Sequence, residues 1–259
     1  MNTREIAVGL AKKNLVDCIY SSACVDGLNI TLQQTQDILQ DAKLEGVKAN
    51  DVLFVINMRD AWRFVLDTLD ESVNAMYVQW LNNMCVHSLR YGSGAERMSD
   101  AYVKSTSYEP PMPQDGDVVF ALQALRKKDD PVERAIQTFG YLANAEIFVD
   151  GNKRVALLVA NQILISSGVG ILKIPDTSVS SFSECLLDYH KTGGDSLSHY
   201  LREECLIRAQ AVDIVSYNGL DFTVQEVISV LPEAARNMYS SERACAEANV
   251  KMYYDIFRK

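Results

Sequence analysis

The chain lacks the marks of a secreted or membrane-spanning protein. Its six cysteines (Cys18, Cys24, Cys85, Cys185, Cys205, Cys245) form no C-x-x-C pair. Scattered through apolar-periodic segments of a chain this long, they read as buried reduced thiols rather than a disulfide framework. The opening, MNTREIAVGLAKKN, is too polar for a secretory leader. No run reaches the ~20 apolar residues of a membrane span. Val155 to Ile165 comes nearest, but Asn161 and Gln162 interrupt it and Gly168 follows. Positive charge is also in deficit: 25 Lys and Arg stand against 34 Asp and Glu, a net charge of -9. That balance argues against nucleic acid or an anionic membrane as a partner, since both would repel the chain. The three histidines, His87, His190 and His199, share no ligand spacing that would mark a metal site. There is no internal repeat and no low-complexity tract. The expectation is a soluble cytoplasmic protein.

What is present is an ordinary globular composition, 48% hydrophobic and 23% charged over 259 residues. This is enough for one large domain or two small ones. Almost every segment carries helical periodicity. The pattern predicts helices over Glu5–Tyr20, Thr31–Leu44 with Thr31 as N-cap, Asp51–Leu69 and Val73–Leu89. Further helices are expected over Val118–Leu125, Pro131–Ala145, Val155–Ser167, Phe182–His190 and Ser196–Ile207. The tail adds Val224–Leu231 and Ser241–Tyr254. One long irregular segment, Arg90 to Pro113, interrupts the series. Pro110, Pro111 and Pro113 exclude a helix there, and Tyr102–Ser107 suits a short hairpin. The fold class is therefore all-α, a helical bundle with one small β-hairpin.

The chemistry concentrates at Asp150-Gly151-Asn152-Lys153-Arg154. Asp150-Gly151 is a turn signal, and Asn152 suits the N-cap of the helix that follows. That helix, VALLVANQILISS, is apolar on nearly its whole circumference, which marks it as central and buried. Its start presents unsatisfied N–H groups and a positive dipole end. Lys153 and Arg154 add cations where cations are disfavoured, so an anion should compensate. A phosphate fits, with Asp150 placed to hold a Mg²⁺ bridging phosphate oxygens. The alternative from the same residues is a capping salt bridge from Asp150 to Lys153 or Arg154.

F-V-D-G-N-K-R before an apolar helix resembles the Fic/Doc (Fido) family motif, H-x-F-x-D/N-G-N-K/G-R. Phe148, Asp150, Gly151, Asn152 and Arg154 match. Ser107–Pro113 (SYEPPMP) is similar to the Tyr-x-Pro-Pro-x-Pro segment after the family's target-docking flap. Gly94–Val103 stands where that flap belongs, and Leu186–Glu204 resembles the closing helices. Tyr20–Leu39, with Ser22, Asp26 and Gly27, looks like the inhibitory S-x-x-x-E-G segment. The matches run in family order over roughly residues 15 to 205. They imply a Fic-like helical bundle with a β-hairpin flap, divided into N-terminal helices (1–90), a Fic core (91–206) and a C-terminal extension (207–259). They imply ATP and Mg²⁺, with Asp150 on the metal and Gly151, Asn152, Lys153 and Arg154 on the phosphates. The implied partner is a protein target docked near 94–107, and homodimerisation is common among members with extra terminal helices.

Two positions depart from the pattern. Glu146 stands where the family has its proton-accepting histidine. A carboxylate is a weak base at its ordinary pKa, and beside phosphates it repels the substrate. Leu157 stands where AMP-transferring members carry a second arginine, the partner of the inhibitory glutamate, and here that glutamate is Asp26. The resemblance thus implies AMP transfer to a protein hydroxyl with activity altered or lost at Glu146. The alternatives are an inactive nucleotide-binding or scaffold protein, or a Doc-like phosphotransferase, to which N-K-R leans.

Overall fold

A computed structural model describes residues 2–41, 46–100, 108–114, 116–210, 214–217 and 220–257. The hairpin expected at Tyr102–Ser107 lies outside the described residues. The chain divides into two units, 1–209 and 210–259.

The first unit is built around α8 (Asn152–Ser166). Thirteen of its residues are buried, in line with its all-round apolar sequence. It packs most extensively on α7 (Pro131–Ala145), which begins where Asp130 caps Val132 N–H at 3.0 Å and Pro131 pre-sets the first helical turn. Around this pair lie α1 (Thr3–Lys13), α2 (Leu15–Val25), α3 (Leu32–Leu39), α4 (Ala49–Asp67) and α5 (Ala75–Val86). The unit is completed by α6 (Asp117–Arg126), α9 (Val179–Thr192) and α10 (Ser196–Tyr200). Trp62, Met58, Leu81, Phe139, Leu158 and Phe182 are fully enclosed in its core.

The expected helix Glu5–Tyr20 is two helices. Asn14 ends α1 with its backbone N–H on the Leu10 carbonyl, and its side-chain amide also donates to that carbonyl at 2.8 Å. The expected helix Ser196–Ile207 is likewise interrupted. After α10 the chain widens into one π-helical turn (Leu201–Cys205), then extends as Leu206–Arg208. That strand (β2) pairs antiparallel with β1 (Gly170–Leu172). At Gly170 a Cβ would meet the Ile207 carbonyl at 2.0 Å, so only glycine admits the pairing.

The second unit holds a hairpin not expected from the helical reading of the tail, β3 (Ile214–Tyr217) against β4 (Leu220–Thr223). It also holds α11 (Val224–Ser229), α12 (Glu233–Arg236) and α13 (Glu242–Phe257). Its own core includes Val215, Val224, Ile228, Cys245 and Val250. Among the described residues, no helix is long and apolar enough to cross a membrane.

Candidate functional site

The end of α7 and the start of α8 are joined by a six-residue turn, 146–151. Glu146 closes α7 in the left-handed conformation (φ 44°), and Gly151 opens α8 in the same region (φ 85°). A Cβ on Gly151 would stand 2.9 Å from a Val86 methyl, so the turn needs glycine there on both counts. Asn152 is not the N-cap its sequence position suggests. It is the first helical residue, and its side chain folds back over the turn. Its Oδ1 accepts from Phe148 N–H at 2.9 Å, and its Nδ2 donates to the Phe148 carbonyl at 2.8 Å and to Glu146 Oε2 at 2.6 Å. The helix therefore starts without a side-chain cap, which leaves its first amides as an open set of donors.

The cations are held differently. Arg154 is 5% exposed and lies over the Phe54 ring, 5.1 Å from its centre. Its Nη1 donates to the Cys85 carbonyl at 2.8 Å. Its Nη2 donates to Asp150 Oδ1 at 2.7 Å, and its Nε pairs with Asp26 Oδ2 at 2.7 Å. Burial works against this charge, but the Asp26 and Asp150 carboxylates outweigh it and hold the guanidinium above its ordinary pKa. Lys153 adds a longer contact to Asp26 at 3.5 Å, and Arg90 reaches Asp150 Oδ2 at 3.2 Å. Asp150 thus takes the capping salt bridge that its sequence also allowed, and Asp26 is not without a cation. Its partner is Arg154, three residues before Leu157, the position at which the resemblance would place the partner arginine. Asp26-Gly27 is at the same time an ordinary helix ending: Gly27 is left-handed (φ 74°), with Leu28 N–H on the Ala23 carbonyl. Ser22 turns its hydroxyl back onto the Cys18 carbonyl at 2.9 Å.

Three cations, Arg90, Lys153 and Arg154, therefore meet two carboxylates, Asp26 and Asp150, with Glu146 bound to Asn152 beside them. Tested against a magnesium–polyphosphate group, the turn fits in its backbone and not in its side chains. The open amides of α8 suit an anion. Asp150 has both oxygens engaged, Oδ1 also accepting Gly151 N–H at 2.6 Å. Arg154 is held by ion pairs to Asp150 and Asp26 while Asp26 stays in place. The residues fit a phosphate once Asp26 withdraws.

Glu146, the residue expected from the sequence at the base position, has one carboxylate oxygen taken by the Asn152 amide. Burial pushes its carboxyl above the usual carboxylate value, against the lowering pull of Lys153, the Asn152 amide and Arg97. The sign of its pH linkage follows. A carboxyl whose folded pKa is raised binds more protons when folded. Stability therefore falls as pH rises from the ordinary carboxylate value through the folded one. Glu146→Gln keeps an oxygen for Asn152 and removes the charge. Its stability relative to the parent is expected to be greater at pH 7 than at pH 4, read from urea midpoints; an equal difference at both pH values would refute this.

Two residues that hold the turn were not singled out from the sequence. Asn82, on α5 and 1% exposed, donates to the Asp150 carbonyl at 2.7 Å and accepts from Gly94 N–H at 2.9 Å. Arg97, 4% exposed, donates to the Glu146 carbonyl at 2.7 Å, to the Ser99 and Pro110 carbonyls, and to that of Pro111. Its own N–H reaches the Ile147 carbonyl at 2.9 Å, and Glu96 forms an isolated bridge with Phe148. The 94–99 segment and the proline run are thereby sewn to the motif turn. A lone Asn in a helix and a lone Arg in a loop carry no spacing signal. His190 lies on α9, stacked on Tyr108 with ring centres 4.6 Å apart and Nδ1 2.8 Å from Asn144 Oδ1. Burial, helped by Lys153, lowers its pKa to about 4, so it is neutral at pH 7. Among the described residues no cluster of His, Cys, Asp and Glu forms a metal cage.

Residues 72–164, which include the turn, Asn82 and Arg97, match the model of the Fic/DOC family. The comparison with curated proteins found no match. Solved structures share the fold: Fic-1 from C. elegans (its residues 134–508) superposes with a TM-score of 0.64 at 20% identity, covering 76% of this chain. This chain spans 61% of that one, about three fifths of its length. A Fic domain containing signaling protein from Bacteroides thetaiotaomicron gives 0.63 at 17% identity, with 76% of this chain and 81% of that one covered. A Fic family protein from Desulfovibrio desulfuricans gives 0.61 at 13%, with 88% and 78% covered.

Proposed function

We propose that this is a Fic-type protein in which group transfer from ATP to a protein hydroxyl has been lost, while the α8 amides remain a nucleotide-phosphate site that Asp26 closes. The observation that carries this reading is the Glu146 carboxylate. It stands at the base position, 2.6 Å from the Asn152 amide that clasps it. A general base needs a free lone pair within reach of the substrate proton and a pKa near working pH. An anionic Glu146 also repels phosphate. Asp150 would have to give up Arg90 and Arg154 to hold a Mg²⁺, which would then neutralise phosphate charge. Gly151, Asn152 and Lys153 would face the phosphates, with Arg154 joining them once released from Asp26. The protein target would dock on the segment near 94–107, beside the Arg97 stitch, and a second copy of the chain is a further proposed partner.

Two labelled forms of ATP test this. With α-labelled ATP, a transferase places AMP on a target; with γ-labelled ATP, a Doc-like enzyme places phosphate. The expected result is no label from either, together with ATP binding that tightens in Asp26→Asn when followed by calorimetry. Label on any protein would overturn the loss of transfer. The pairing of Arg154 with Asp26 and Asp150 favours a second reading, a pure scaffold. Absence of nucleotide binding in both the parent and Asp26→Asn would establish it in place of the first.

A further inference from the structure

At the far end of α8 lies a cavity of about 270 Å³, unconnected with the motif turn. Gln162, on its wall, is eight residues past Arg154, about 12 Å along the helix at 1.5 Å per residue. Three features make it more than a packing gap. The first is Gln162, only 3% exposed. Its Nε2 donates to the Glu71 carbonyl at 3.0 Å and leans on that of Leu69 at 3.5 Å. Because both neighbours are acceptors, the nitrogen must face them, and the amide oxygen is left towards the cavity that Gln162 lines. Among the described residues that oxygen has no donor. It is not one of the enclosed polar atoms left without a partner, so it opens onto the cavity, where it can accept a ligand N–H.

The second feature is charge. Arg126 and Arg134 both line the cavity. Arg134 donates to the Lys128 carbonyl at 2.9 Å and reaches Ser167 Oγ at 3.4 Å, and among the described residues neither arginine pairs with an acid. Only Glu71 opposes them on the lining. The third is the remaining wall, where Leu69, Val73, Leu122 and Ile163 supply an apolar surface. Two arginines present a fork for a carboxylate. A carbonyl oxygen and one carboxylate face them, as an ammonium requires, and the apolar wall takes an aliphatic side chain. The volume, just under the ~300–1,000 Å³ of drug-sized pockets, admits a molecule of amino-acid size and not a nucleotide.

We infer that this cavity is a binding site for a free apolar α-amino acid, with its carboxylate on Arg126 and Arg134 and its ammonium on Gln162 Oε1 and Glu71. The site is independent of the chemistry proposed at the motif turn. Calorimetry on the whole chain tests it with L-leucine, with isocaproate, which lacks the amine, and with isoamylamine, which lacks the carboxylate. Leucine is expected to bind, with each truncated analogue weaker by about tenfold or more, one charged hydrogen-bonded contact each. Arg126→Gln, at an exposed position that leaves folding intact, and Arg134→Gln are each expected to weaken leucine by a similar factor. The inference is overturned if leucine, isoleucine, valine and methionine all give no heat at millimolar concentration. It is equally overturned if isoamylamine or isocaproate binds as well as leucine, or if both arginine variants bind leucine unchanged. Nucleotide binding at the motif turn is measured in the same samples, so failure there and failure here are read separately.

Discussion

Replacing Arg154 with leucine is expected to destabilise the 1–209 unit by about 3 kcal/mol, the low end of the range for removing one partner of a buried ion pair. The reasoning rests on what is left behind. Asp26 and Asp150 would keep their carboxylates with only Lys153 at 3.5 Å and Arg90 at 3.2 Å to answer them. Those two contacts are longer and more exposed than the pair removed, and they place the effect at the bottom of the range. The Cys85 carbonyl would lose its donor as well. Adding Asp26→Asn to Arg154→Leu is expected to recover part of the loss, because an amide needs no counter-charge. Arg90→Gln is the contrast: its side chain is 58% exposed, and its pair is worth no more than about 1 kcal/mol. Urea unfolding of the four proteins decides the point. An Arg154→Leu variant no less stable than Arg90→Gln would show that the network does not hold the fold.

Much of this was legible in the sequence, and the remainder was hidden for identifiable reasons. The α7–α8 pair announced itself. Asp130-Pro131 sets the start of α7, and an apolar circumference with no charged face from Val155 onward leaves α8 no place but the centre. The motif turn was equally plain, since Asp150 to Arg154 put a turn signal, a carboxylate and two cations at one helix start. Breaks in helices were harder. Asn14 ends α1 through its own side chain, a local competition that apolar periodicity does not register. Leu206–Arg208 leaves the helical pattern because Gly170–Leu172, thirty-six residues earlier, offers it a strand partner. The tail hairpin was missed by a purely helical reading, although Asn218-Gly219, between β3 and β4 in sequence, is a hairpin signal.

The site divides the same way. Its residue types could be named from the sequence, but not their pairings. Asp26 and Arg154 are 128 positions apart, and the seating of α2 and α8 on α4 lets Asp26 meet the arginine of the turn. That seating is a property of packing. For the same reason a neutralised cluster and an open phosphate cradle look alike in sequence. Both need cations at a helix start, and they differ in whether carboxylates from other elements reach them.

The second large effect concerns recovery of chemistry. Glu146→His combined with Asp26→Asn is expected to raise AMP labelling from α-labelled ATP by roughly 10²–10⁴ over the parent, the range for restoring a general base. Histidine suits the position sterically, since the left-handed conformation of residue 146 is one it adopts more readily than most side chains. It also removes an anion from beside the phosphates and frees Asn152 Nδ2 from its carboxylate. Glu146→His alone is expected to gain less, because Arg154 remains held by Asp26 at 2.7 Å. Asp26→Asn alone is expected to bind ATP and transfer nothing, having an open site without a base. The order parent, Asp26→Asn, Glu146→His, double variant therefore separates closure of the site from loss of its base. Labelling in the single Glu146→His variant equal to that in the double would remove Asp26 from the account. A double variant that binds ATP and yet stays unlabelled would carry the loss of function beyond Glu146, to the buried Leu157 on α8, where a neutral side chain stands in place of a second arginine.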